Sequence, residues 1–421
     1  MSRPREVVIT GLGVVSPLGI GREAFRSALE AGTSGVEYLP EFVGTELPFR
    51  FGARLKDFDA KQYVQPRKTI KVMCEEIQAA YAAASLAMQD AGLEKGAIEP
   101  DRLGVVLGSE MLFGEIDEVA PVYRRCAENG QFEFANWGGF VFKDLYPLWM
   151  LKYLPNMAAC HISIAHDARG PNNSIVQGGA SSLLAIGEAM MAIERGLADA
   201  MIVGGSGSRV SFNALPFRGW DELSKWPGEP AGASRPFDAR RSGIVPGEGS
   251  GSMVLESREH AERRGAKVLA RLAGFASRFE PGRTGQPRTG SAIRQSIAAS
   301  LASAKMTASD IGHVNANADG SLEGDRVEAQ AIRETLGDVP VTAPKSYFGD
   351  LGAGSGSVEI LASVLAIVHS RVPRTLNYET PDPACPVNVI HGSPLKGARP
   401  TAVVLNQSAT GQAAAIVLAA P

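Results

Sequence analysis

Short apolar runs and segments of helical period alternate along the whole chain, and this alternation sets the expected architecture. "REVVITGLGVVSPLG" is a β-branched run closed by Gly and Pro, so it predicts a strand. "GREAFRSALEAG" follows with apolar residues at helical spacing and a terminal Gly, the pattern of an amphipathic helix. "RKTIKVMCEEIQAAYAAASLAMQDAGL" predicts a long Ala-rich helix and "DRLGVVLGSE" a buried strand. "SSLLAIGEAMMAIERG" predicts a helix capped by Ser181 or Ser182 and closed by Gly196, leading directly into the strand "ADAMIVGGSGS". The second half repeats the order: "KVLARLAGFAS", the helix "SAIRQSIAASLASAKM", "IGHVNANADGS", the helix "GDRVEAQAIRETLG", "VTAPKSYFGDLGAG", the helix "SGSVEILASVLAIVHS" and "PTAVVLNQSATGQAAAIVLAA".

Such alternation predicts α/β layering, with functional loops at the C-terminal ends of the strands. The halves read as variations on one unit, residues 1–255 and 256–421, with the seam at the charged stretch "ESREHAERRG". One segment breaks the pattern. Within residues 111–157, "FEFANWGGFVFKDLYPLWMLKYLP" is crowded with aromatics and has no clean period. Three roles are open to this insertion: a cap on the core, a dimer contact, or the wall of an apolar tunnel.

Composition narrows the functional classes. The 421 residues, 44% hydrophobic and 21% charged, are enough for a sizeable core of ordinary soluble make-up. A net charge of −3 offers no general attraction to nucleic acid or anionic lipid. The four cysteines lack CxxC spacing, which points away from a zinc site or a disulfide framework and towards buried free thiols. No apolar run approaches the roughly 18 residues of a spanning helix, and the chain enters a strand almost at once, so no membrane span and a cytoplasmic location are expected.

Candidate chemistry centres on "GPNNSIVQGGASSLLAIGEA", a strand, a glycine-rich turn and the first turns of a helix. α/β enzymes mount nucleophiles on such elbows, yet Gly178 and Gly179 stand at the turn. Together with "VVITGLGVVSPLG", "ADAMIVGG", "SRPFDARRSGIVPGEGSGSMVLE", "GDRVEAQAI", "KSYFGD" and "TLNYETPDP", this stretch resembles the β-ketoacyl-acyl-carrier-protein synthases over nearly the full length of the chain. The resemblance implies a thiolase-like, five-layer αβαβα fold made of two similar halves. It also implies an obligate dimer and acyl chains delivered on the phosphopantetheine arm of an acyl carrier protein, with no cofactor or metal of the chain's own.

That family condenses acyl chains with a cysteine at a helix N-terminus and two histidines, which together form the acyl-enzyme and stabilise the enolate. The resemblance places Gly179 at the cysteine, Asn317 at the first histidine ("VNANAD") and Asp350 at the second ("KSYFGD"). Lys345 and Glu359 are retained, whereas the family's glycine-rich closing loop has become "NQSATGQAA". Gly178, Asn406 and Thr410 are the remaining candidates for substrate contact. All six histidines fall outside the matching positions. His313 lies four residues before Asn317 in a strand-like run, which separates the two by about 13 Å at the usual strand rise.

Replacement groups were sought in the sequence. Ser181 and Ser182 read better as helix caps than as nucleophiles. Gln177 is similar to the elbow glutamine of decarboxylating synthase domains and chain-length-factor subunits, but stands two residues early. Cys160, in "NMAACHISIAHDARGPN", offers a thiol if its segment runs as a neighbouring strand, with an inert buried thiol as the plainer reading. Asn317 and Asp350, with Asp319 and Glu323 nearby in sequence, form a polar set in which an anionic Asp350 opposes enolate formation. Two functions follow. One is a non-condensing, chain-length-factor-like subunit that pairs with an active ketosynthase; the other is an enzyme with altered chemistry on carrier-bound acyl thioesters, such as malonyl decarboxylation, other carbon–carbon bond formation or dehydration. A homodimer that sequesters the acyl carrier protein is a third.

Overall fold

The first strand shows why the sequence folds into layers. β1 (Val7–Ser16) is buried along all ten residues, so it reads as one continuous apolar run rather than an alternating one. The computed structural model describes residues 4–47, 50–110, 114–127, 130–211, 220–282 and 288–421. After β1 come β2 (Leu103–Ser109), β3 (Asn172–Val176), β4 (Ala200–Ser208) and β5 (Glu248–Ser257), in the spatial order β3-β2-β4-β5-β1. Next follow β6 (Ala270–Phe279), β7 (His313–Asn315), β8 (Pro340–Thr342), β9 (Asn388–Val389), β10 (Thr401–Gln407) and β11 (Gln412–Ala419). These take the order β8-β7-β10-β11-β6, with β9 outside β8.

In each set the third, second and fourth of these five strands run parallel, and the fifth pairs antiparallel with the fourth and the first. The same plan is therefore used twice. The sets join where residues 7–9 of β1 pair antiparallel with residues 270–272 of β6.

Helices complete the layers. α1 (Arg22–Ala31) follows β1, and α2 (Glu75–Asp90) packs on β1, β4 and β5. The expected long helix begins only at Glu75, because Met73 and Cys74 are buried in extended backbone between it and a short 3₁₀ stretch, Arg67–Val72. The insertion is more regular than its aromatic content predicts. It holds α3 (Ile116–Cys126) and α4 (Trp137–Asp144) and leads into α5 (Met157–His166); residues 111–113 and 128–129 of it lie outside the described residues. Its period is hidden because aromatics pack on one another, with Tyr123 and Trp137 rings 4.7 Å apart, while Phe134 and Phe142 remain exposed. Cys160 lies on helix α5, not on a strand.

α6 (Ser181–Glu194) touches strands of both sets. α7 (Ser291–Ala304) and α8 (Leu322–Leu336) cover the second set from outside, and α9 (Ser355–His369) joins α6 between the sets. The result is a five-layer αβαβα arrangement with its main core around the two central helices. By length and composition residues 352–369 would pass for a membrane span, but 89% of the segment is buried inside the protein. α9 is largely apolar because protein encloses residues 355–367, with Glu359 as its one buried charge.

Candidate functional site

The elbow forms as its sequence predicts, but its details differ. β3 ends at Val176, Gly178–Ala180 makes a 3₁₀ turn with Gly178 at φ +56°, and α6 begins at Ser181. Ser181 is thus the first helical residue, one position inside the cap, which is Ala180. Its hydroxyl still ties off the turn, accepting from Gln177 N–H (2.8 Å) and donating to Gly178 O (2.7 Å). Ser182 donates to Ala353 O. Both serine hydroxyls are spent on backbone.

At Gly179 the chain has no room for a side chain. An ideal Cβ would lie 2.6 Å from the carbonyl oxygen of Gln407, a backbone atom at the end of β10. The hairpin after Gln407 is braced to the elbow by Gln177, whose Nε2 donates to Thr410 Oγ1 (3.1 Å), with the Ser408 and Thr410 hydroxyls 2.7 Å apart. Gln177 is thereby directed to the hairpin.

A second corner is built on α9 and the loop after β7. Lys345 Nζ donates to Glu359 Oε1 (2.6 Å), Asn317 O (2.7 Å) and Asn317 Oδ1 (3.2 Å). Asn406 Nδ2 bridges Glu359 Oε2 (2.7 Å) and Asn317 Oδ1 (3.4 Å), and Gln407 N–H adds a third donor to that oxygen (3.3 Å). Three donors on one atom fix the amide orientation, so Asn317 Nδ2 is directed away from them as a neutral donor. Glu328 accepts the N–H groups of Asn317 (2.9 Å) and Ala318 (2.8 Å), while burial pushes its carboxyl up to about 8. Burial alone would pull Lys345 down, but Glu359 and Asp350 outweigh it and hold the ammonium above its ordinary value.

Asp350 is buried just before the turn that leads into α9. Its carboxylate contacts Arg209 and accepts from Gly352 N–H (3.1 Å) and Ser355 Oγ (3.0 Å). Burial favours the neutral acid, yet Arg209 and Lys345 prevail and hold Asp350 below its ordinary value. It is an anion, as the sequence argument against an enolate-stabilising role requires. Arg209 was missed by that argument. It lies in "GGSGSRVS", a small-residue strand end with no motif, and the clue was indirect: a carboxylate placed in a buried site needs a cation.

These residues share a pocket of about 490 Å³, lined by Gly179, Arg209, Asn317, Asp350, Gln407 and Ser408 among others. Elements far apart in sequence therefore bring the three positions nominated from the sequence to one place. Lys345 and Glu359 lie behind the lining, and Gly178, Asn406 and Thr410 are not part of it. No cysteine or histidine is among the described lining residues. His313 is buried beside Ser363, and Cys74, Cys126 and Cys385 are buried elsewhere. Among the described residues, no group of three or more His, Cys, Asp or Glu is placed to hold a metal ion.

The chain was compared with known proteins. The β-ketoacyl synthase N-terminal domain model matches residues 4–261, and the C-terminal domain model matches residues 269–379. A putative polyketide β-ketoacyl synthase 1 of Streptomyces halstedii is 34% identical over 392 residues, 92% of this chain and 91% of the relative. A 3-oxoacyl-[acyl-carrier-protein] synthase 2 of Vibrio cholerae is also 34% identical, covering 92% of each chain. Among solved structures, the ishigamide ketosynthase/chain length factor superposes with a TM-score of 0.87 at 25% identity, covering 99% of this chain and 100% of the other. A type II polyketide synthase ketosynthase, solved in complex with its acyl carrier protein, gives 0.85 at 29% identity with the same coverage.

Proposed function

We infer, for a chain that belongs to the β-ketoacyl synthase family, a non-condensing role: a chain-length-factor-like cytoplasmic subunit that pairs with an active ketosynthase and binds acyl chains carried on the phosphopantetheine arm of an acyl carrier protein. The observation that carries this reading is the pocket itself. It gathers the three positions that the family resemblance nominates, its described lining offers no thiol and no imidazole, and Gln407 O fills the space beside Gly179 that a side chain would need. Reading Gly179, Asn317 and Asp350 as replacements of the cysteine and both histidines accounts for these features together. Losing members of one catalytic unit costs several powers of ten in rate, so a condensing activity is not expected.

Two of the structural neighbours support the partners. One structural neighbour is described as a ketosynthase/chain length factor, and another as a ketosynthase in complex with an acyl carrier protein. The test is co-expression with the cysteine-bearing ketosynthase encoded nearest to it, followed by native mass spectrometry. A one-to-one heterodimer is expected; a tight homodimer that never takes up the ketosynthase overturns the reading. Turnover of acyl- or malonyl-carrier substrates by the chain alone supports the alternative, an enzyme with altered chemistry in the same pocket.

A further inference from the structure

The charge around Arg209 carries information about what the pocket accepts. A guanidinium facing a pocket is ordinarily a ready anchor for a carboxylate, since its fork of donors matches two oxygens. Here Asp350 already contacts it, Glu110 lies 3.9 Å away, and Asp319 and Glu222 also act on its charge. Four carboxyl groups therefore act on Arg209, with Lys345 acting on Asp350 from the other side.

Among the described residues, the rest of the wall adds more acids than bases. Among the described lining residues, Arg209 and Arg288 stand against Asp221, Glu222, Asp319 and Asp350, while Glu323 is paired with Arg326. Arg288 donates to Ser408 O (3.0 Å), which ties it to the hairpin. Asp221 and Glu222 are exposed to water and screened, so the repulsion a ligand carboxylate meets comes chiefly from buried Asp350 and half-buried Asp319. The neutral donor Asn317 Nδ2 asks for no ligand charge.

The geometry points to a pocket that takes an uncharged acyl thioester and turns away one that carries a free carboxylate, with Asp350, through its hold on Arg209, as the selecting residue. This rests on reading the pocket as the place of carrier-bound acyl groups. An acetyl-type thioester offers only a carbonyl to Asn317. A malonyl-type thioester adds a carboxylate that must displace Asp350 from Arg209 or face the remaining acids, so malonyl decarboxylation is the least suited of the altered chemistries.

The experiment measures binding of acetyl-pantetheine and malonyl-pantetheine to the full chain by titration calorimetry at low and high salt. Wild type is expected to bind the malonyl compound at least about tenfold more weakly than the acetyl compound at low salt, since opposed like charges are costly, with the gap narrowing as salt screens them. Asp350→Asn frees the guanidinium and is expected to raise the ratio of malonyl to acetyl affinity about tenfold. Because Asp350 is buried, Asp319→Asn is the second variant; it keeps the acceptor for Ser321 N–H (3.0 Å) and is expected to narrow the gap several-fold. Equal or tighter malonyl binding by wild type, binding of neither compound, or an unchanged ratio in the folded variants overturns the proposal. Failure to form a heterodimer with intact selectivity removes the subunit role alone, so the two readings fail separately.

Discussion

Two turns of the same construction meet at the centre of the molecule. One is Gly178–Ala180 before α6, the other Gly352–Gly354 before α9, and each follows the third strand of its set. In both, the first helical residue is a serine whose hydroxyl accepts an N–H from four residues earlier: Gln177 to Ser181 and Leu351 to Ser355, both at 2.8 Å. Ser182 joins them by donating to Ala353 O. Their surroundings differ sharply. Before the first turn stands neutral Gln177, while the second is framed by Lys345, Asp350 and Glu359, all buried and all paired. A shared backbone thus specifies where a group can be aimed, and the side chains brought to it decide whether chemistry follows.

Substitutions at the two turns test this contrast. The largest effect is expected at Lys345→Met, which leaves Glu359 buried beside Asn406 without its cation and should cost about 3–5 kcal/mol in denaturant unfolding, most of it regained when Glu359→Leu is added. An intermediate effect is expected for Gly179→Cys. Its Cβ would overlap Gln407 O, so the variant should lose about 1–3 kcal/mol of stability, and acyl transfer assays should show no condensation. The smallest is Gln177→Ala, which removes one hydrogen bond to Thr410 at a cost of at most about 1 kcal/mol, read best as faster hydrogen exchange at Gly411. If Gln177→Ala costs as much as Lys345→Met, the two turns are not divided into a neutral and a charged one in energetic terms.

Much of the fold was legible because strands and central helices carry their burial in the sequence. The long, mostly apolar runs of β1 and α9 each have one way to be satisfied, between layers. The insertion was less legible, since α4 buries no residue and meets α3 through ring contacts such as Tyr123 on Trp137 rather than along a periodic apolar face. In the site, Gly179, Asn317 and Asp350 were nominated from motif positions, and the structure gathers them at one pocket. Arg209 and the carbonyl of Gln407 were not visible in advance. A backbone oxygen leaves no mark in a sequence, and the arginine's partner is 141 residues away. Cys160 was misplaced because "AACHISIA" suits a buried strand as well as a buried helix.

The approach of Gln407 to Gly179 also imposes an order on change. A thiol introduced at the elbow first would collide with the main chain, so the β10–β11 hairpin must retreat before any side chain can be accommodated there. Any path that equips this pocket with a nucleophile therefore starts about 230 residues further along the chain, where the remodelled loop, rather than the missing sulfur, is the rate-setting obstacle to redesign.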